Sequence, residues 1–547
     1  MVTDPKGKIK TTVKRKRSKK KNKLTPDEKI KRAHIREIQG VFRNAGFKRI
    51  AHVSGKGFTF DGRSGELDDI FLYENIVVIA EYTTAASSSL SKHLLPKKIL
   101  FDKILDKSSD FIKFLDTTFP TFSQTRGSFY PDQYMVKIVY CSRQDVDKEL
   151  KNQVPNIQYL DYPILKYFRS LTRCIKLSAK FELFKFFGLK KKDIGTHSIS
   201  LGSKVDIIEG TLLPENHSNF DNGYKVVTFY ISPKYLLERS YVLRQQGWDD
   251  HDALYQRMIV VNKINKIRRY LNVSKRVFVN NIIVTLPSDT KLLNKEGNTV
   301  DAATITKTAQ VTIQLPDDYN TIGIIDGQHR VFAYHESNDQ YETQIEILRS
   351  QQNLLVTGVI YPPGITQAEK IKFEANQFLE INSEQTNAKS NLKQAIGVIL
   401  KPFTIESIAV AVIRKLNENG ALDNKFETHF FDKDKIKTAS IVSYALKPLV
   451  NITRHDSLFA IWNEPNKDGL KQEDAAILEK YIDFCTSKIN ELFVVVEKKA
   501  QAAWTTDKSV KSRVLTTTAI NGLLICMRKL IENNKSLSKA YFESKLT

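Results

Sequence analysis

Two features that would narrow the chemistry at once are missing from this 547-residue chain: a paired-cysteine motif and a long apolar run. The four cysteines, Cys141, Cys174, Cys485 and Cys526, lie far apart with no C-x-x-C, which excludes a zinc knuckle and a disulfide framework and fits a reducing cytoplasm. No stretch of apolar residues is long enough to span a bilayer and nothing resembles a signal peptide, so a cytoplasmic protein with no membrane partner is expected. There is no internal repeat, and no Ser/His/Asp pattern supports a hydrolase triad. Acid is scarce as well: 61 Asp and Glu against 84 Lys and Arg leave a net charge of +23. Residues 1–23 hold eleven Lys or Arg against Asp4 alone, which is +10 and leaves +13 for the other 524 residues. Such a balance selects polyanions, with DNA first among them. The tail, with Lys14-Arg15-Lys16-Arg17 and Lys19-Lys20-Lys21, is expected to be disordered and to touch phosphates without reading sequence; a solubilising or targeting tail is the alternative.

The most specific stretch is Thr321 to Arg330. A β-branched apolar run ends at Asp326-Gly327, and Val331-Phe332-Ala333-Tyr334 opens a helix, so the pattern is strand, glycine turn, helix N-terminus. Backbone N–H groups and a helix dipole converge there, and Gly327 has no Cβ to keep a ligand away. Arg330 adds a planar fork that can grip phosphate oxygens, Asp326 can orient it or hold a cation, and His329 is titratable. The string Asp326-Gly327-Gln328-His329-Arg330 resembles the signature of the DGQHR-domain family of the wider ParB/sulfiredoxin-like group, which includes DndB-like proteins of DNA phosphorothioation systems. The resemblance implies a ParB/sulfiredoxin-like α+β domain over 216–400 that binds ATP or another NTP through Gly327, Gln328 and Arg330. It also implies Asp326 or His329 as assistants in hydrolysis. Tyr255-Gln256-Arg257 and the phrase from Glu380 to Thr386 look like the same family, making Arg257 a second anion-binding arginine and Asn382 a helix N-cap near the ligand. Taken alone, Arg257 reads as a surface residue. A sulfiredoxin-like reductase is disfavoured, because that chemistry needs a cysteine in the turn.

The N-terminal part, 25–162, carries a second constellation. Thr25-Pro26-Asp27-Glu28 combines an N-cap, a first-turn proline and a capping-box glutamate, predicting a helix to about Asn44. A hairpin over 67–73 and 76–82, a Lys-rich helix over 91–115, a strand over 135–140, a helix over 145–152 and a strand over 157–160 complete an α/β layout. The hairpin brings Asp69 or Asp68 to the same sheet edge as Glu81, where two carboxylates can hold Mg²⁺ or Mn²⁺. This spacing resembles the PD-(D/E)xK nuclease core and implies a restriction-endonuclease-like α/β domain, with Glu37 as the acid of the first helix. The metal set is then Asp68, Asp69, Glu81 and Glu37. Where that family has lysine, this chain has Thr83. In some such nucleases the lysine has moved to the following helix, where Lys92, Lys97 and Lys98 are candidates; Lys98 is taken as the catalytic one. An active nuclease and an inactive DNA-binding relic both stand.

A helical connector is expected over 163–215 and amphipathic helices over 401–547, the latter supporting the middle domain or seating a homo-oligomer contact. Lys433, Lys435 and Lys437, and Lys508, Lys511 and Arg513, place positive charge near two of those helix starts. The expected protein is thus an α/β multidomain, DNA-acting protein of a DNA-modification or phage-defence type system. It binds a nucleoside triphosphate and cleaves DNA with Mg²⁺, or acts without catalysis as a DndB-like regulator that senses nucleotide or modified DNA.

Overall fold

The computed structural model describes residues 24–195, 206–221, 223–244, 248, 258–385, 390–428, 432 and 434–546. The basic tail, Arg257 with the Tyr255-Gln256 that precede it, and Lys433 lie outside the described residues, as does the side chain of Asn382.

The capping box forms as the sequence dictates. Thr25 Oγ1 accepts from the Glu28 N–H and the Glu28 carboxylate accepts from the Thr25 N–H, opening the helix Pro26–Asn44. Gly46, at a φ of 92°, follows its end. The chain then builds a five-stranded mixed sheet in the order Lys48–Arg49, Asp69–Tyr73, Ile76–Thr83, Met135–Ser142, Gln158–Tyr159. Asp69–Tyr73 and Ile76–Thr83 are the expected antiparallel hairpin, turning at Glu74, whose φ is 49°. Ile76–Thr83, Met135–Ser142 and Gln158–Tyr159 pair in parallel. The central strand Ile76–Thr83 is buried along its whole length, as a strand covered on both faces must be. Val78, Ala80 and Tyr82 pack with Ile38 and Val41 of the first helix, while Val77 and Ile79 pack with Leu90, Leu94 and Phe101 on the other side.

The helix expected over 91–115 is instead broken into Leu90–Leu94, a tight turn Leu95–Lys97, Lys98–Asp106 and Ser108–Thr118. Pro96 has no N–H to continue the first segment. The helical connector expected over 163–215 likewise begins as two helices, Tyr162–Ile175 and Lys180–Phe186, broken at Lys176, where φ is 46°.

These two helices do not merely connect. Phe168, Leu171, Phe181 and Phe184 belong to one core that also takes in Phe42 and Phe71 before them and Leu236, Val284 and Phe332 after them. The middle of the chain forms an eight-stranded mixed sheet. Its order is Ser240–Tyr241, Ile322–Asp326, Ile282–Leu286, Leu354–Ile360, Lys225–Ile231, Asp206–Leu212, Ala309–Leu315, Lys291–Leu293. A helix runs from Val261 to Ser274, and its buried stripe is Ile264, Arg268 and Leu271, with Val261 exposed. Helix Gln367–Gln385 runs through Asn382, so this residue sits inside a helix rather than at an N-cap.

The last part, from Ile405 onward, packs a separate helical core around Ile413, Leu446, Tyr481 and Phe493. Helix Thr517–Glu532 is capped by Thr516, so Lys508, Lys511 and Arg513 lie in the loop before it. Three cysteines are core residues, as their type favours, but Cys526 is exposed. Among the described residues no helix is long and apolar enough to cross a membrane.

Candidate functional site

Strand alternation decides which of the two aspartates faces Glu81. Asp69 pairs with Ala80, so the next pair outward sets Asp68 opposite Glu81 on one face and turns Asp69 to the other. The contacts agree. Asp69 is almost fully buried and accepts hydrogen bonds from Gln39 Nε2 (2.8 Å), the Tyr82 hydroxyl (2.8 Å) and Arg49 Nε, all on the side of the first helix. These three donors hold it on the face away from Glu81, which corrects its expected place in the metal set. Asp68 accepts from the Tyr82 backbone N–H at 2.7 Å and lies in hydrogen-bond range of Glu81.

Glu81 has 3 % of its surface exposed. Burial, and then the neighbouring Asp68 charge, push its pKa up to about 7. Lys97 Nζ is paired with Glu81 Oε1, and His93 Nε2 lies 3.8 Å from the same oxygen. Lys97 sits at the end of the tight turn Leu95–Lys97 that contains Pro96. Thr83, at the position where the nuclease core has lysine, is buried and its hydroxyl accepts from the Ala85 N–H. Lys98, the residue expected to act there, pairs with Asp102 one helical turn on.

Glu37 is held by Lys166 and Arg169 of the connector, on the first-helix side of the sheet and across it from Glu81. The four-carboxylate set is therefore not assembled. Among the described residues no group of three or more His, Cys, Asp or Glu is placed to hold a metal ion. What remains is the pair Asp68 and Glu81. This suits Mg²⁺, which keeps several waters and is bound by one or two carboxylates together with substrate phosphates.

His93 was not singled out from the sequence. Its signal was its position four residues before Lys97 in the Lys-rich stretch. Nδ1 is 3.0 Å from the Tyr140 hydroxyl, and burial followed by the Lys97 charge lowers its pKa.

At the glycine turn, the strand Ile322–Asp326 ends, Gly327 takes a φ of 99°, and a short helix Gln328–Phe332 follows. A Cβ at Gly327 would stand 2.6 Å from Ile282 Cδ1, so both backbone and packing require glycine. Arg330 Nη2 donates to the Asn281 carbonyl (2.7 Å) and to Asp326 Oδ2 (3.0 Å), while its Nε is buried with no hydrogen-bond partner among the described residues. Gln328 is turned inward, where its Oε1 accepts from Arg244 Nε at 3.4 Å, and so does not point out as a cradle side chain would. His329 accepts from the Val260 N–H at 3.4 Å. Burial, then the Lys263 and Arg244 charges, lower its pKa to about 4, so it is neutral near pH 7 and is no cationic partner for phosphate.

Fold and site together define a mixed α/β protein with a two-carboxylate and lysine cluster on the N-terminal sheet, a tight arginine-bearing turn on the middle sheet and a helical C-terminal stretch. No family model, curated protein or solved structure matches the chain.

Proposed function

We propose that this is a DNA-acting protein of a DNA-modification or phage-defence type system whose N-terminal unit is a restriction-endonuclease-like domain that cleaves phosphodiester bonds with Mg²⁺ or Mn²⁺. The observation that carries the reading is the convergence of Asp68, Glu81 and Lys97 on one sheet face, with the lysine arriving from the tight turn Leu95–Lys97 in place of the missing strand lysine. A buried glutamate pressed against a second carboxylate is a group whose ionised form gains from a nearby cation. Such an ion, held by these two side chains, supplies Lewis-acid charge at a phosphate oxygen. Lys97, a quarter exposed and on a flexible stem, can turn from Glu81 to the phosphate and steady the charge that develops there. Asp69, Gln39, Arg49 and Tyr82 hold the hairpin edge in register from behind.

The test is to incubate plasmid and linear DNA with Mg²⁺ or Mn²⁺ and the wild type, Glu81→Ala, Asp68→Asn, Lys97→Ala or Lys98→Ala. The first three substitutions are expected to lower the rate by about a hundredfold or more, the scale of removing a group that stabilises transition-state charge, and Lys98→Ala to leave it unchanged. If Glu81→Ala cuts as fast as wild type, the metal-site assignment is wrong.

A second reading is a non-catalytic DndB-like regulator that binds DNA and senses ATP or another nucleotide at the DGQHR turn, built on a ParB/sulfiredoxin-like domain. It is favoured by two buried donors beside that turn, Arg330 Nε and Arg244 Nη2, which have no hydrogen-bond partner among the described residues. Duplex binding that responds to nucleotide in a protein that never cuts would select it.

A further inference from the structure

From Met258 to Ser288 the chain contains no Asp or Glu. In a protein with 61 acids this gap falls on one element, the helix Val261–Ser274 and the segment after it. The helix buries Ile264, Arg268 and Leu271 and exposes Asn262, Lys263, Asn265, Lys266, Arg269 and Tyr270. Asn262, Asn265, Lys266 and Arg269 fall at i, i+3, i+4 and i+7, so they form one stripe along the helix. Lys275 and Arg276 continue the charge past its end, and both are exposed. Lys263, Lys266, Arg269, Lys275 and Arg276 form no ion pair among the described residues, whereas Lys166, Lys191 and Lys415 each hold an acid.

The helix is also held rigidly. Arg268, fully buried, donates to both Asp339 oxygens (3.0 Å each), to Glu342 (3.1 Å) and to the carbonyls of Ala333 and His335. Beside the stripe lies a recess of about 690 Å³ bounded by Asn265, Lys266, Arg269, Gln340 and Tyr341. Its acid, Asp339, is already engaged by Arg268.

We infer that this helix face is a docking surface for duplex DNA, separate from the Asp68–Glu81 cluster. Unpaired cations on a fixed scaffold are complementary to a phosphate backbone, and release of condensed counterions drives their association. A helix of 14 residues spans about 21 Å, enough to lie along a major groove about 12 Å wide, where the two asparagines supply the donor and acceptor pairs that read base edges. A bilayer surface is the competing partner. The exposed apolar residues here are valines and one tyrosine, not the Trp, Phe and Leu of membrane-seated helices, and a membrane has no use for the asparagine stripe.

The inference rests on the chain being DNA-acting, but not on its cutting DNA. Binding of the full chain to a fluorescein-labelled duplex is measured by anisotropy in EDTA over a range of salt. The proteins compared are wild type, Lys263→Ala/Lys266→Ala/Arg269→Ala, and Lys471→Ala/Lys498→Ala/Lys529→Ala, which removes equal charge from the C-terminal part. The helix variant is expected to bind about tenfold or more weakly, with a log–log salt slope shallower by about 2 to 3, while the control binds as wild type. The substituted side chains are exposed, so its melting temperature is expected to stay within a degree or two of wild type. Equal loss in helix and control variants would assign the binding to net charge alone and overturn the inference. So would no loss in the helix variant, no duplex binding by wild type, or full competition by phosphatidylserine vesicles or single-stranded RNA at the same concentration of charge. Duplex binding that depends on the helix in a wild type that does not cleave would sink the nuclease reading and leave this one standing.

Discussion

Replacing Glu81 with glutamine should stabilise the metal-free protein, and by an amount that depends on pH. The folded protein holds the Glu81 proton more tightly than the unfolded chain does, at about 7 against an ordinary 4.5. A carboxyl group with a raised folded pKa contributes stability that is complete below about pH 4.5 and is lost as pH rises through about 7. Above that window the wild type must carry a buried carboxylate next to Asp68, and the neutral amide need not. At about 1.4 kcal/mol per pKa unit the ceiling is about 3 kcal/mol, lowered in practice because the amide gives up the charge pair with Lys97. Thermal melts of wild type and Glu81→Gln at about pH 5 and pH 8, with and without millimolar Mg²⁺, read the effect directly. The variant should melt several degrees above wild type at pH 8 and within a degree or so of it at pH 5. Mg²⁺ should raise the wild-type melt at pH 8 and leave the variant where it was, since only the ionised pair attracts the cation. If the variant gains nothing at pH 8, or if Mg²⁺ lifts both proteins equally, Glu81 is not the strained carboxylate that the geometry describes and the cation site is elsewhere.

The remaining predictions concern the glycine turn. Gly327→Ala combines a positive φ with a Cβ set 2.6 Å from Ile282 Cδ1, so chemical denaturation should show a loss of about 2 kcal/mol or more; an unchanged midpoint would mean that the turn relaxes freely. Arg330→Ala should weaken ATP binding, measured by calorimetry, about tenfold or more if the turn seats a polyphosphate. Equal affinity would reduce Arg330 to a brace between Asp326 and the Asn281 carbonyl.

Much of the backbone was legible in the chain alone, for local reasons. The capping box at Thr25, the hairpin strands Asp69–Tyr73 and Ile76–Thr83 and the turn at Gly327 are each specified by a handful of adjacent residues, and each forms where those residues stand. Where a prediction depended on an apolar period running past an interruption, it overran: the 91–115 helix is broken after Leu94, just ahead of Pro96, and the helical connector breaks at Lys176. Periodicity says which face is apolar, but not whether the hydrogen-bond ladder survives a missing N–H or a residue at positive φ.

The candidate site divides along the same line. Sequence alone determined that two acids meet at the open edge of a hairpin, that no strand lysine accompanies them, and that a glycine turn bearing Arg330 closes a strand in the middle sheet. Only the tertiary structure decided that Asp68 rather than Asp69 faces Glu81, that Lys97 rather than Lys98 reaches it, and that Glu37 and Gln328 are engaged elsewhere. The reason is geometric. One residue of register in a strand, or one residue of rotation in a helix, sends a side chain to a different face, and that choice is made by what packs behind it rather than by the residues beside it in the chain.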